Sequence, residues 1–341
     1  MTTVLITGGA GFIGSNFLEY LFRKYPEYHL IVLDALTYAG SPDNIPDDIK
    51  SSKRFEFWYG NVTNDDLVSQ LVGRSDIVVH FAAESHVARS IFDNKIFYVT
   101  DVLGTQAVAN ACTRRKDLDR FIHISTSEVY GTALTAPMTE DHPLNPLSPY
   151  ASAKAGADRL VYSYIASYGI PACILRPFNQ YGPKQHLEKV IPRFITSALL
   201  DEPLTVHGPG NAMRDWLFVQ DTCERIDKVM HAPIEEIQGE VFNLGSGFEL
   251  DVMSIASMVL EMLHKPSDLI SHIGNRPGQV DRHISSTKKA SERLGITPGR
   301  SFEEGLAETI AWYQTHRAWW EKLLWMRHVP IITESGKVEY H

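Results

Sequence analysis

Short runs of apolar, often β-branched residues alternate with longer amphipathic stretches through the first half of the chain: Val4–Thr7, Phe12–Lys24, Leu30–Asp34, Asp65–Val72 and Ile77–Phe81. The short runs read as strands and the longer stretches as helices, a pattern that predicts βαβ units around a parallel sheet. Two further strand-like runs, Arg120–Ser125 and Pro171–Arg176, flank a helical stretch from Pro149 to Tyr168. The expected sheet therefore has roughly six or seven strands.

Beyond Phe178 the alternation loosens, with Gly182-Pro183 and His207-Gly208-Pro209-Gly210 breaking the chain into short pieces. A second domain is expected to begin here. Val241-Phe242-Asn243-Leu244-Gly245 again reads as a buried strand followed by a tight turn, so the chain is expected to cross back. The predicted fold class is α/β: a doubly wound parallel sheet with a smaller mixed α/β C-terminal unit. The first domain would take residues 1–178 with 222–248 returning to it, and the second 179–221 and 249–341. Trp312, Trp319, Trp320 and Trp325 fall on one late helical stretch and read as packing residues.

Composition narrows the class further. With 341 residues, 44% hydrophobic and 21% charged, the chain can bury a sizeable core, which excludes disordered, collagenous and disulfide-scaffold readings. The net charge is −9 and the 32 Lys and Arg are scattered, so no nucleic-acid partner is expected. Cys112, Cys173 and Cys223 lie far apart, and neither they nor the 14 His show a ligand spacing; no disulfide and no metal are expected. No apolar run approaches the roughly 20 residues of a membrane helix. The start, Met1-Thr2-Thr3-Val4, runs into a strand without a basic leader, and a cytoplasmic location is expected.

The first candidate chemistry is Gly8-Gly9-Ala10-Gly11-Phe12-Ile13-Gly14, which follows a strand and opens a helix as a dinucleotide fingerprint must. Gly8 permits the tight turn, Gly11 lets amides near Phe12 and Ile13 approach a pyrophosphate, and Gly14 lets helix and strand pack closely. Asp34, 20 residues after Gly14 at a strand end, is placed to accept the ribose hydroxyls. Residues 35–40 contain no Arg or Lys to balance a 2′-phosphate, so NAD is favoured over NADP. Asn61-Val62 are candidates for the adenine and Ala82-Ala83 for walls beside the nicotinamide ribose.

The second is Tyr150-x-x-x-Lys154, an i, i+4 pair that sets an ammonium near a phenol on one helical face. A phenol titrates near ~10, so work as a base near neutrality needs that positive charge. Thr126-Ser127-Glu128 follows a parallel strand at its carboxyl end, where open α/β sheets bind ligands. Its hydroxyls can orient a substrate hydroxyl, and Glu128 offers a general base; the same residues also suit a helix N-cap.

Together these residues resemble the extended short-chain dehydrogenase/reductase family acting on nucleotide sugars, and more closely its 4,6-dehydratases of the dTDP-glucose type. The resemblance extends over nearly the whole chain through His80-Phe-Ala-Ala-Glu-Ser-His-Val87, Arg176-Pro-Phe-Asn-Gln-Tyr-Gly-Pro183, Glu188-Lys-Val-Ile-Pro192, Arg214-Asp-Trp-Leu217 and Arg276-Pro-Gly278. It implies a Rossmann-type domain, bound NAD, a nucleotide-diphosphate sugar as substrate and a homodimer built from helices near Phe92–Cys112 and Pro149–Tyr168. It further implies substrate contacts at Ser85, His86, Asn179, Lys189, Arg214, Asn243 and Arg276, and oxidation at C4 followed by loss of water across C5 and C6. Ser127 stands where the dTDP-glucose enzymes carry Asp, Asp101 where the family usually has Asn, and Ala88 where those enzymes have Asp. Thr-Ser-Glu also occurs in GDP-mannose dehydratases and in UDP-glucuronate decarboxylases, so a decarboxylase or 4-epimerase stays open, with a non-catalytic NAD-binding protein as the remote alternative.

Overall fold

The computed structural model describes residues 1–274, 280–332 and 337–340. Its strands up to residue 283 are β1 Thr3–Thr7, β2 His29–Asp34, β3 Phe55–Tyr59, β4 Ile77–His80, β5 Arg120–Ile124 and β6 Ala172–Pro177. They continue with β7 Asn179–Tyr181, β8 Leu204–His207, β9 Met213–Phe218, β10 Val241–Leu244, β11 Glu249–Asp251, β12 Ile270–Ile273 and β13 Arg282–His283. The longer helices are α1 Phe12–Lys24, α2 Asp65–Val72, α3 Thr105–Arg114, α4 Pro149–Tyr168, α5 Val190–Leu199, α6 Val219–His231, α7 Val252–Met262 and α8 Phe302–Thr315.

Seven strands form one parallel sheet in the order β10-β6-β5-β4-β1-β2-β3. The period of two sends alternate residues to opposite faces. Val4, Ile6 and Val32 meet Phe17, Leu21, Ile226 and Met230 of α1 and α6 on one face. Leu5, Ile31 and Val78 meet Leu71, Val108, Cys112 and Val161 of α2, α3 and α4 on the other. Helices on both faces explain why these strands are apolar throughout rather than alternating. Strand order reverses between β1 and β4, and in such sheets the crevice at the carboxyl ends of that pair receives the ligand.

Val241–Leu244 pairs in parallel with β6, with Val241 opposite Ile174. The intervening and following segments build a separate apolar cluster around Phe194, Trp216, Leu306 and Tyr313, with short sheets β11-β9-β13 and β12-β8. Trp320 is fully buried in that cluster and Trp312 and Trp319 pack against the cluster, as the tryptophan pattern suggested, whereas Trp325 is 62% exposed. The three cysteines are buried free thiols. The helix expected near Phe92–Cys112 is not continuous: Val87–Phe92 and Lys95–Phe97 lead into a wide π-helical turn, Tyr98–Gly104, before α3.

A buried polar network locks α4 to the sheet. Arg176 of β6 donates to both oxygens of Asp158 at 2.9 Å, and its third nitrogen donates to the Tyr130 hydroxyl, which donates to Asn243 of β10. Burial raises the Asp158 carboxyl, but Arg176 and Arg159 outweigh it and hold it below its ordinary value. A group so depressed stabilises the fold above its unfolded value and loses that contribution as pH falls through its folded one. Asp158→Ala leaves the Arg176 guanidinium buried without its counter-charge, and the expected loss of unfolding free energy is about 3–5 kcal/mol at neutral pH, shrinking below about pH 4. Urea denaturation across pH checks this; a loss under about 1 kcal/mol, as for a surface pair, would show that the network does not anchor α4.

Candidate active site

A cavity of about 450 Å³ opens at the carboxyl ends of the central strands and runs from the Gly8–Gly14 loop to β8 and β9. At its first end the loop is shaped by close approach. Gly8 has φ +71°, and a Cβ there would lie 2.7 Å from the Ala82 nitrogen; a Cβ on Gly14 would lie 2.3 Å from the Gly8 carbonyl oxygen. Gly11 starts α1 with no side-chain cap, so the first-turn amides of Phe12 and Ile13 border the cavity, where the positive end of a helix favours a pyrophosphate.

Asp34 closes β2 and faces the same space. Its carboxylate accepts the Ala10 amide at 2.9 Å and the Leu36 amide at 2.8 Å. Burial raises its pKa and those two amides pull it back. Each oxygen so held keeps acceptor capacity for a ribose hydroxyl. Asn61, Val62, Ala82 and Ala83 line this part too; Asn61 turns its side-chain oxygen onto the Thr63 amide at 2.9 Å, which leaves its NH₂ as donor. A glycine cradle, uncapped amides and a carboxylate without a neighbouring cation between residues 35 and 40 fit an adenine dinucleotide with a free ribose diol.

In the middle of the cavity stand Tyr150 and Lys154. Ser148 caps α4 by accepting the Ala151 amide at 3.1 Å, and Pro149 presets the first turn, so the pair enters the site one helical turn apart. Both side chains are buried. Lys154 Nζ donates to the carbonyl of Ile124, the last residue of β5, at 2.7 Å. Burial pulls the Lys154 ammonium down, opposed by Asp101 and Asp158, and pushes the Tyr150 phenol up, opposed by a hydrogen bond with Thr126. The Tyr150 ring rests edge-on against Phe97 at 6.2 Å.

Thr126, Ser127 and Glu128 border the cavity directly after β5. Thr126 accepts the Glu128 amide at 3.2 Å and so caps the short turn Ser127–Tyr130. The residue that caps this turn also contacts Tyr150.

Toward β8 and β9 the cavity is lined by Ser85, His86, Asn179, Lys189 and Arg214. Lys189 Nζ donates to the Ser85 carbonyl at 2.7 Å, and Arg89 donates to Glu188 at 2.9 Å, two ties across the cavity. Asn243 is a correction to the sequence reading. It does not reach the cavity: its NH₂ donates to the Met138 carbonyl at 3.0 Å and its oxygen accepts from Tyr130, because β10 lies at the edge of the sheet. Arg276 lies outside the described residues.

Glu84, Glu188, Arg193, Thr205, His207 and Trp216 also line the cavity and escaped the sequence reading. Glu84 and Glu188 sit inside motifs already singled out. Thr205 and His207 had a signal in the alternation of β8, whose Leu204 and Val206 are buried in the core while the polar residues between them face the cavity.

The family model described as GDP-mannose 4,6 dehydratase matches residues 5–309. The chain is 39% identical to the dTDP-glucose 4,6-dehydratase of Streptomyces niveus over 324 residues, 94% of this chain and 95% of that one. It is 43% identical to the low-salt glycan biosynthesis protein Agl12 of Haloferax volcanii over 311 residues, 91% and 98% of the two chains. Among solved structures, the dTDP-glucose 4,6-dehydratase DesIV of Streptomyces venezuelae with NAD bound superposes with a TM-score of 0.90 at 38% identity, covering 94% of this chain and 100% of that one. UDP-glucuronic acid 4-epimerase of Bacillus cereus, in complex with UDP-glucuronic acid and NAD, gives 0.86 at 31%, covering 92% and 99%. Gly8–Gly14, Asp34 and Tyr150-x-x-x-Lys154 are therefore met in one cavity of a chain that belongs to the GDP-mannose 4,6 dehydratase family of NAD-dependent extended short-chain dehydrogenases/reductases.

Proposed function

We propose that the chain converts a nucleotide-diphosphate hexose to its 4-keto-6-deoxy form, with NAD retained so that net turnover is loss of water. The observation that carries this is the placement of Glu128 in the cavity that also holds Tyr150 and Lys154. Oxidation of a C4 hydroxyl alone needs only the tyrosine and lysine; a second, carboxylate base beside them suits removal of the C5 proton that a 4-keto group acidifies.

When bound, NAD supplies the two-electron acceptor that takes the hydrogen of C4 and later returns it at C6. Tyr150 takes the C4-hydroxyl proton, with Thr126 holding its phenol and Lys154, one helical turn further on, supplying positive charge. Glu128 takes the C5 proton as the C6 hydroxyl leaves as water. Ser127, whose buried hydroxyl replaces a carboxylic acid at this position, can relay a proton but not serve as the strong acid. Lys189 and Arg214 provide positive charge, and Asn179 a donor, for the diphosphate.

On this reading residues 1–178 with 222–248 bind NAD, and 179–221 with 249–341 bind the nucleotide sugar. We further place the enzyme in the cytoplasm, where the three buried thiols stay reduced. Among the described residues no helix is long and apolar enough to cross a membrane. A homodimer is proposed through the outer face of the segment from Val87 to α3 and of α4, where Phe92, Ile96, Tyr98, Leu103 and Tyr162 are each more than 40% exposed.

Incubation without added cofactor with dTDP-glucose, UDP-N-acetylglucosamine, GDP-mannose and UDP-glucuronate, followed by mass spectrometry, tests the activity. Loss of one water from a neutral hexose is expected; loss of carbon dioxide from the glucuronate, or inversion at C4 alone, would replace the dehydratase reading. Glu128→Gln is expected to keep NAD and the first oxidation while lowering formation of the 4-keto-6-deoxy product by about 10²–10⁴-fold, and Tyr150→Phe to lose the first oxidation by a similar factor. Full product formation by Glu128→Gln would remove its assigned role. For the dimer, Leu103→Lys should shift sedimentation from dimer to monomer, and a wild-type monomer would overturn it.

A further inference from the structure

An indole carries one hydrogen-bond donor, and burial forces that donor to find an acceptor. Trp320 gives its N–H to the Tyr313 carbonyl at 2.7 Å, one helix back in the same stretch of chain. Trp319, its neighbour on the short helix Arg317–Trp320, sends its N–H to Asn44 Oδ1 at 2.9 Å, 275 positions away. The rings of Trp312 and Tyr313 on α8 meet the Trp319 ring edge-on, at 5.0 and 6.3 Å between centroids, and fix the direction of that donor.

Asn44 closes the turn Pro42–Asn44, which follows Thr37, Ala39 and Gly40 of the cavity wall. Its side chain is buried, and its NH₂ donates to the Ala10 carbonyl at 2.8 Å. Chemistry alone orients this amide: an indole N–H can only donate and a carbonyl can only accept, so the Asn44 oxygen faces Trp319 and the nitrogen faces Ala10. The Ser41 amide donates to the same Ala10 oxygen at 3.0 Å. The Ala10 amide in turn donates to Asp34 at 2.9 Å. A peptide group is planar, so holding the Ala10 oxygen also sets the direction of the Gly11 amide, which donates to the Gly8 carbonyl at 3.1 Å at the start of α1. Ala10 thus joins the loop amides to the Asp34 carboxylate, and Asn44 holds Ala10.

We propose that Asn44 and Trp319 are positioning residues of the NAD site: their hydrogen bond lets the C-terminal segment hold the dinucleotide loop in its binding form, and bound NAD leaves when that bond opens. Both act through Ala10, since neither borders the cavity. Opening leaves the buried Asn44 oxygen without its donor, which is the barrier that keeps the loop shut. The Lys322–Asp43 pair joins the same two segments beside this contact, but both side chains are about half exposed and such a pair adds little. Trp320 is buried in one apolar cluster with Phe194 of α5 and Trp216 of β9, so the segment that reaches the NAD loop is anchored in the body that lines the other end of the cavity. Retention of NAD is thereby tied to both ends of the cavity, whatever the fate of the sugar.

The rate of NAD release tests this without any sugar. The purified protein is loaded with radiolabelled NAD and diluted into a large excess of unlabelled NAD, and the label still bound is followed with time. Trp319→Phe keeps an aromatic ring against Trp312 and Tyr313 and removes the N–H. Asn44→Asp keeps an acceptor for Trp319 and loses the donor to Ala10. Each is expected to release NAD about 10-fold faster than the wild type. Asn44→Ala should release at least as fast, and adding Trp319→Phe to it should change the rate by under about 2-fold, because Trp319 acts through Asn44. Lys322→Ala is expected to stay within about 2-fold of the wild type. A purely structural role would lower the urea midpoint and leave release from the folded protein unchanged. Release at the wild-type rate from Trp319→Phe and Asn44→Asp therefore overturns the proposal, as does a full effect of Trp319→Phe on top of Asn44→Ala. A variant that shows a cooperative urea transition yet is purified without NAD supports it. Should Trp319→Phe fail to fold, the nearly isosteric Asn44→Asp decides alone.

Discussion

A buried ammonium is the constraint around which the site is arranged. Moving the Lys154 charge out of water carries a penalty of several kcal/mol, and the structure must return it through a hydrogen bond and nearby negative charge. The Ile124 carbonyl at the end of β5 supplies the first, and Asp101 and Asp158 supply the second. Those partners come from the sheet, from the π-helical turn and from the next turn of α4 itself. Lysine, sheet and turn therefore fix one another, and Tyr150, one helical turn before Lys154, takes its place at the cavity as a consequence. The Asp158–Arg176 pair then ties the same helix to β6, so a displacement of α4 would unpair two buried cations at once.

The strand reversal between β1 and β4 supplies the second half of the arrangement. It lets the Gly8 loop and Ala82 approach so closely that Gly8 has no room for a side chain, and the loop's own backbone leaves none at Gly14. The polar groups offered at that end are consequently backbone amides and one carboxylate, Asp34. At the opposite end the cavity is bordered by long side chains from β9 and from the segment leading into α5, with Arg214 and Lys189 among them. One end suits a rigid dinucleotide that stays, the other a diphosphate that must come and go.

Residues whose place follows from local geometry were legible in the sequence. Gly8 and Gly14 are demanded by a tight strand–helix turn, Asp34 by its position at a strand end, and Tyr150 with Lys154 by the period of a helix. The parallel sheet was legible for a similar reason, since burial on both faces leaves continuous apolar runs. Positions that depend on tertiary closure were not. Glu84, Glu188 and Arg193 reach one cavity from widely separated segments, and no local pattern joins them. Asn243 shows the opposite error: a polar residue ending a strand resembles a ligand contact, yet at the sheet edge it is absorbed by Tyr130 and Met138. The π-helical turn has no signature in the amphipathic pattern of its segment, which is why the burial of Asp101 could not be read there.

One fold of this kind can host several reactions, so the chemistry has to be read from the site. Tyr150, Lys154 and the NAD-binding loop serve any reaction that begins by oxidising a hydroxyl, and they do not select among the fates of the resulting ketone. On the dehydratase reading proposed above, that selection falls to the turn after β5. Thr126 pins that turn through the Glu128 amide while also touching Tyr150, so the oxidising pair and the second base are held in fixed relation. Ser127 has a hydroxyl and no acid to offer, which leaves Glu128 as the carboxyl of this turn able to take and return a proton.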